Sequence, residues 1–381
     1  MAPLTLAIIG AGPFGLAQAA WAAAAGIDYA IIGYPMEFWR DHMPAGMLLR
    51  STAEWHLDPP GEWTIDRFLA EESGAPSGPL SRERYLEYAG WLQERRRIHP
   101  IETLVELLQP PTIPTQSFTL SLGNGRTLDA RHVVVALGFS AFAHAPADLV
   151  ARLPPGRWAH TADAVQFDRY AGRRVLIVGG RQSAFEWAAL LSEAGASHVD
   201  VVHRHQTPRF AESEWEWVDP LVAQTENDPT WFRRLDTAEK QDLSRRLWAE
   251  GRLKLEPWLG ERLRHARVTL RPHTEVAQTA IRSDGAIDVT FAPSGQAVVD
   301  DLILATGYKV DIARVPLLNG RDGPIIATRD GFPVLDDHFQ SSEPRLFITS
   351  MAASGDFGPF FGFTVAARVS ARHIGRAILH G

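Results

Sequence analysis

The chain has no cysteine among its 381 residues. That absence excludes disulfides, thiolate metal sites and the redox-active thiol pair through which many electron-transferring proteins work. Clustered basic charge is missing too: the net charge is -7, and no Lys/Arg face stands out that could neutralise a phosphate backbone, which argues against nucleic-acid binding. Residues 1–27 carry no charged side chain, yet no Lys or Arg precedes their apolar run, and Gly10, Gly12, Pro13 and Gly15 interrupt it. Those breaks point away from a signal peptide or membrane helix and toward a cytoplasmic protein. No low-complexity tract occurs. What remains, 45% hydrophobic and 22% charged residues, is the composition of an ordinary globular chain with room for two or three domains.

Two stretches share one design. Leu4 to Ile9 reads as a buried strand, Gly10-Ala11-Gly12-Pro13-Phe14-Gly15 fits GxGxxG, an Ala-rich helix runs on to Gly26, and a second strand follows at Tyr29 to Ile32. The first glycine permits the turn, the second admits a phosphate to the backbone, and the third lets helix pack on strand. Arg174 to Leu191, RVLIVGGRQSAFEWAALL, repeats the plan with Gly179 and Gly180 at the turn and a helix from Ser183. In each copy the free N–H groups and positive end of the helix face the place of a pyrophosphate. The expected class is therefore α/β, with two Rossmann-like dinucleotide-binding domains, the second inserted into the first. Residues 1–165 plus 310–381 form the outer domain in this reading, and 166–309 the inner one.

Around the first turn, an acidic ribose ligand is expected at the end of the second strand, but Gly33 stands there and the nearest carboxylate is Glu37. Residues 37–59 hold too many Pro, Gly and aromatic residues for a regular element. Such a segment can wrap a flat ligand, with Trp39 against it and Arg50 and Ser51 on phosphate or ring carbonyls; ordinary loop packing is the alternative. A helix is expected over Ser81 to Arg97, with Tyr85, Tyr88, Trp91 and Leu92 as core. A hairpin over Phe118 to Leu137 turns at Gly123-Asn124-Gly125. Gly156 to His160 reads as linker.

In the second copy, strand His198 to His203 leads into Arg204, a cation suited to a 2′-phosphate where a carboxylate would suit a free ribose. His203 and His205 lack a third ligand, so no metal site is expected. Residues 209–265 form a helical insertion with Trp215, Trp217, Trp231, Trp248 and Trp258, which suits a lid, a homodimer surface or plain packing. Strand Val299 to Leu304 then leads into Ala305-Thr306-Gly307-Tyr308. After strand Leu346 to Thr349, Gly355-Asp356 offers a ribityl-binding pair, and a helix from about Thr364 to Leu379 carries Arg368, Arg372 and Arg376 on one solvated or interface face.

Taken together, GAGPFG at 10–15, VGGRQSA at 178–184 and LATGY at 304–308 resemble the flavin-containing and N-hydroxylating monooxygenase group, over nearly the whole chain. The resemblance implies FAD at Gly10, Gly12, Pro13, Phe14 and Gly15, and NADPH at Gly179, Gly180, Arg181, Gln182, Ser183 and Arg204. Thr306, Gly307 and Tyr308 then connect the two domains. It further implies NADPH-driven oxygenation of a small organic substrate by O2, at nitrogen or sulfur, through a peroxyflavin. The cofactor carries such chemistry, so no triad or carboxylate pair is required, and His160, Ser51 and Asp356 are the candidates for the flavin's neighbourhood. Three departures stand out: Arg181 takes the second glycine's place, Ala184 the third's, and the group's FxGxxxHxxxF/Y signature survives only as Gly156 and His160. A flavin-linked dehydrogenase or reductase shares every motif, and a non-catalytic redox sensor is the reading from another class.

Overall fold

The computed structural model describes residues 2–50, 54–72, 79–113, 116–251, 253–264, 267–320 and 323–380. Strand β1 (Leu4–Ile9) is apolar on both faces, as a strand covered on both sides must be, and lies between parallel neighbours. Helix α1 (Pro13–Ala24) returns the chain to β2 (Tyr29–Ile32), which pairs with one edge of β1. A short helix, α2 (Glu37–Asp41), follows where no regular element was expected, entered through a left-handed Met36. Helix α3 (Arg82–Arg96) matches expectation, capped by the Ser81 hydroxyl and burying Tyr85, Tyr88, Trp91 and Leu92.

Strands β3 (Val105–Gln109), β4 (Phe118–Leu122) and β5 (Thr127–Val135) complete the meander. One edge of β5 pairs parallel with β1. Its other edge is divided: the first half pairs antiparallel with β4, while Val133–Val135 pair parallel with the last strand of the chain, Leu346–Ile348. The outer unit is thus closed by a strand more than two hundred residues downstream. Helix Ala367–His380 then packs on α1, where a Cβ on Gly375 would collide with the Trp21 indole.

The second sheet is wholly parallel, with β7 (Arg174–Val178) at its centre, β8 (His198–Val202) and Val268–Arg271 on one side, and Asp301–Leu304 and β6 (Trp158–His160) on the other. This corrects the sequence reading at its boundary. Residues 158–160 were read as linker within the outer unit, but they form the edge strand of the inner sheet, because three residues flanked by Pro and Gly carry no periodicity of their own. An antiparallel ribbon of Glu275–Ile281, Ile287–Ala292 and Gln296–Val299 covers one face of this sheet through Val276, Ile287, Val289 and Phe291.

The insertion comprises helices Val218–Asn227, Trp231–Arg234, Thr237–Gly251 and Pro257–Arg264. Its apolar residues are shared between the two units: Trp215, Val218, Val222, Trp231, Phe232 and Leu247 join the outer core, whereas Leu255, Leu259 and Leu263 join the inner one. Of the arginines on the last helix, Arg372 faces this insertion and Arg368 faces residues 54–56, while Arg376 is exposed. Arg372 pairs with Glu226 and donates to the Pro59 carbonyl, and Arg368 donates to His56 Nε2 at 2.7 Å.

Candidate functional site: two copied nucleotide turns

The two glycine turns are geometric copies. Gly10 N–H donates to Ile32 O at 2.8 Å and Gly179 N–H to Val202 O at 3.0 Å, each tying its turn to the neighbouring strand end. Both glycines have positive φ, 105° and 154°, and in both a Cβ would collide with a backbone carbonyl of the strand on the other side, Ala136 in one case and Ala305 in the other. Gly15 is needed for close packing, since its Cβ would strike the Gly10 carbonyl; the counterpart Ala184 is wholly buried.

Gly12 and Arg181 occupy the same place. Each is the N-cap of a twelve-residue helix, α1 and α4 (Gln182–Glu193), with extended backbone and no side-chain cap. The uncapped N–H groups of both helices are therefore available to an anion. Around Gly12 a Cβ would meet nothing within 4 Å, so its missing side chain leaves open space. At Arg181 the φ of −120° suits any residue, and the guanidinium turns aside to lie 4.0 Å from the ring centre of Trp248 on the insertion. The side chain that stood in the phosphate's way by sequence is thus stacked on an indole.

The expected ribose carboxylate is missing for a steric reason. A Cβ at Gly33 would approach Ala11 N to 3.0 Å, at a φ of 141°. In the second copy the roles are exchanged: His203 has the side chain, and the residue opposite it is Gly180, whose Cβ would lie 2.5 Å from His203 Cβ. Only one member of each facing pair carries a side chain. Glu37 lies next to Met36, whose N–H donates to Ala11 O at 3.0 Å, so its segment is held behind the first turn.

Several expected site residues are committed elsewhere. Arg50 donates to Glu256 at 2.6 Å, to the Gly251 carbonyl at 2.6 Å and to Ser213 at 2.5 Å, which makes it a tie between the 37–59 segment and the insertion. Trp39 packs on Tyr85 with ring centres 4.6 Å apart. Asp356 is buried and accepts from Arg329 and from Leu335 N–H, both at 2.8 Å, so it anchors the 328–335 turn. Ser51 lies outside the described residues. His160 accepts from Ala162 N–H at Nδ1, which places its proton on Nε2, and that N–H donates to Gly307 O at 3.1 Å. Burial lowers its pKa and keeps it neutral. It pins the connection, where Thr306 Oγ1 also donates to the His144 carbonyl and Tyr308 packs on Phe38, Phe139 and His160.

At the carboxyl ends of the outer sheet lies a small cavity of about 10 Å³, lined by Val135, Leu137, Gly138, Phe142, Ile348 and Thr349. Thr349 Oγ1 is buried there without a hydrogen-bond partner, and a Cβ on Gly138 would meet nothing within 4 Å. The sequence reading missed both residues. Their signal was position alone: Thr349 follows directly on the strand Leu346–Ile348 and Gly138 lies three residues beyond β5, at the strand ends where open α/β sheets place ligands.

Glu186 is the other buried group between the units. Its carboxylate accepts from Gln182 Nε2 at 3.0 Å and Leu48 N–H at 3.4 Å and lies 3.7 Å from Arg262. Burial raises its pKa. The folded protein therefore holds this proton more tightly than the unfolded chain, so the stability is full below the ordinary Glu pKa and is lost as pH rises through the raised value. Glu186→Gln should accordingly gain stability relative to the parent as pH rises from about 4. Denaturation midpoints across pH that stay parallel would refute this.

Among the described residues no cluster could hold a metal ion, and no helix is long and apolar enough to cross a membrane. Among curated proteins, the FAD-dependent urate hydroxylase of Xanthomonas campestris pv. campestris is 26% identical over 273 residues, 68% of this chain and 55% of that protein. A ferredoxin–NADP reductase of Gluconacetobacter diazotrophicus is 32% identical over 28% of this chain and 31% of its own length. The chain thus spans about half, or less, of the curated relatives it matches. Among solved structures, the ornithine N-hydroxylase of Kutzneria sp. 744 superposes with a TM-score of 0.79 at 16% identity, covering 100% of this chain and 99% of that one. L-lysine 6-monooxygenase of Pseudomonas syringae gives 0.75 at 20% identity, covering 99% of each chain. These superpositions match the expected fold, two Rossmann-like units with a helical insertion. Residues 7–229, spanning both glycine turns, match the family model for pyridine nucleotide-disulphide oxidoreductases, and the chain belongs to that family.

Proposed function

We propose that the chain is an NADPH-dependent, FAD-containing monooxygenase that oxygenates a small organic substrate. The observation that carries this is the pair of geometrically equivalent, uncapped glycine turns in a chain with no cysteine. A two-nucleotide relay without a protein thiol passes its electrons from one bound cofactor to the other and on to oxygen or an external acceptor. The curated and structural relatives above, named as hydroxylases and monooxygenases of small nitrogen-containing molecules, support oxygen as acceptor and nitrogen as a target.

FAD, when bound, supplies the redox and oxygen-transferring chemistry. This chain's residues bind, orient and exclude water. The residues fit the cofactor: the open face of Gly12 and the free N–H groups of α1 suit its pyrophosphate, Glu37 its ribose, and the orphaned Thr349 hydroxyl and the space at Gly138 suit the chain beyond. On the inner unit, the α4 N-terminus takes the NADPH pyrophosphate, with Gln182 and Ser183 in its first turn, and Arg204 takes the 2′-phosphate. Arg204 is exposed and makes no ion pair or hydrogen bond among the described residues, so its guanidinium is available for a charge-assisted contact. Tyr308, Phe38 and Phe139 pack the connection, and the insertion's Trp215 and Trp217, against Phe363 and Phe360, close the side facing the 350–363 loop.

Purified protein that takes up no FAD on reconstitution would sink this function. If it is yellow, NADPH consumption under air is measured with amines and sulfides, and stoichiometric oxygenated product is expected. Consumption that yields only hydrogen peroxide or reduces an added acceptor would favour a reductase, the reading that the ferredoxin–NADP reductase relative supports. Arg204→Ala should raise KM for NADPH about 10- to 100-fold while barely changing that for NADH, as expected for loss of a contact worth about 1.5–3 kcal/mol. NADP+ titration should also alter Trp248 fluorescence as the pyrophosphate competes for Arg181, and Arg181→Ala should remove that change.

A further inference from the structure

The carboxyl edge of the inner sheet carries a group of side chains that the glycine turn alone does not require. His203, Arg204 and His205 follow β8, and His273 follows the neighbouring strand Val268–Arg271 with a left-handed φ of 52°. Backbone bonds hold the two segments together, His273 N–H to His205 O at 3.3 Å and Thr274 N–H to His203 O at 3.0 Å. The histidine rings of 203 and 205 lie 5.3 Å apart, and His205 Nε2 rests over the phosphate turn, 2.7 Å from where a Cβ on Gly180 would stand.

Hydrogen bonding specifies which nitrogens are bare. His205 Nδ1 lies 2.7 Å from the Gln206 carbonyl, which can only accept; the ring proton is therefore on Nδ1, and Nε2 presents a lone pair at the turn. His273 Nε2 is 3.1 Å from Gln206 Oε1. His203 is 3% exposed, its Nε2 meets Thr207 Oγ1 at 3.1 Å, and its Nδ1 is buried with no partner.

The charges facing this group have one sign. His205, His273 and Arg181 all act on His203 as cations or groups that become cations, and burial with these neighbours depresses its pKa to about 4. Arg204 adds a permanent charge at the same strand end. The carboxylate on these strands, Asp200, is spent on Arg271 at 2.7 Å and lies 3.7 Å from His198. A rim with two arginines and bare imidazole nitrogens, and with no facing carboxylate among the described residues, is suited to an anion.

We propose that His205, flanked by Arg204, His203 and His273, takes up a proton at Nε2 when a phosphomonoester binds at this edge, so that the preference for NADPH over NADH is pH-dependent. The proton comes from solvent; the resulting imidazolium donates its new N–H to a phosphate oxygen beside the Arg204 guanidinium. His203 stays neutral and spaces the two rings from the sheet. The proposal rests on the assignment of the inner turn to NADPH.

The sign of the proton flow separates this site from a plain arginine site. A phosphomonoester has a second pKa near 6, and arginine alone would pull it lower, so that binding above pH 7 releases at most about a tenth of a proton. A neutral imidazole that becomes charged on binding takes protons up. The experiment is calorimetric titration of the flavin-loaded protein with NADP+ and with NAD+ at pH 7.5, in two buffers of different ionisation enthalpy. Net uptake approaching one proton is expected with NADP+ and none with NAD+, with the affinity ratio falling by up to tenfold per pH unit above neutrality. His205→Gln should retain NADP+ binding through Arg204 but lose the uptake and the pH dependence. Proton release or no net proton exchange with NADP+ in the parent protein, or uptake unchanged in His205→Gln, would overturn the proposal while leaving the NADPH assignment intact. Failure of NADP+ to bind would overturn both.

Discussion

Gly12→Asp should yield a protein that folds at least as well as the parent and binds essentially no flavin. A Cβ at this position meets nothing within 4 Å, so the substitution creates no clash, and the residue is the N-cap of α1, where aspartate is among the best caps. Replacing glycine there adds a few tenths of a kcal/mol to the free protein. The same carboxylate stands where the pyrophosphate must come, takes the free N–H groups of the helix for itself, and repels the incoming charge. Like-charge juxtaposition costs several kcal/mol, so FAD affinity should fall by about 10²- to 10³-fold. The readouts are flavin absorbance after reconstitution and the melting temperature of the apoprotein. Wild-type flavin content in the variant would remove the first turn from the cofactor site. Gly15→Ala is the contrasting control: its Cβ would strike the Gly10 carbonyl, so that variant should lose stability as well as flavin.

The second large effect is on stability and lies away from both turns. Asp58 is wholly buried and is held by Arg96 through two bonds of 2.8 Å, with the N–H groups of Glu62 and Trp63 completing its shell at 2.8 and 2.9 Å. This pair ties helix α3 to the end of the 37–59 segment that the insertion and the last helix also grip through Arg50, Arg368 and Arg372. Arg96→Ala leaves a buried charge without its partner and should cost about 3–5 kcal/mol. Asp58→Asn in the Arg96→Ala background should recover a large part of that loss, because the amide removes the unpaired charge. Denaturation of the four proteins gives the coupling energy directly, and additive losses would show that the pair is not a unit.

The readability of the chain varied with the range of the forces involved. Both glycine turns, the Ser81-capped helix and the 118–135 hairpin were legible because caps, tight turns and buried runs are determined within about fifteen residues. The inner sheet's edge strand at 158–160 was not, since its partner Asp301–Leu304 lies some 140 residues away. Arg50 and Asp356 have the right chemistry for a cofactor site and sit near the right strands. Their partners, Glu256 and Ser213 in one case and Arg329 and Leu335 in the other, come from segments whose approach no local pattern encodes. Thr349 and Gly138 went unnoticed for the converse reason, because only the sheet's topology makes a strand end significant.

What the sequence by itself determined is the pair of nucleotide turns, the absence of thiol chemistry and the α/β class, all of which follow from residue type and short spacing. The tertiary structure decided which side chains face those turns. It showed that Gly33 and Gly180 are each glycine because the facing backbone or side chain leaves no room for a Cβ, and that Arg181 lies on Trp248. It also brought His203, His205 and His273 to one edge of the inner sheet. Each of these is a contact between segments brought together only when strands pair and the insertion folds back, and steric exclusion and charge of one sign at such contacts have no signature along the chain.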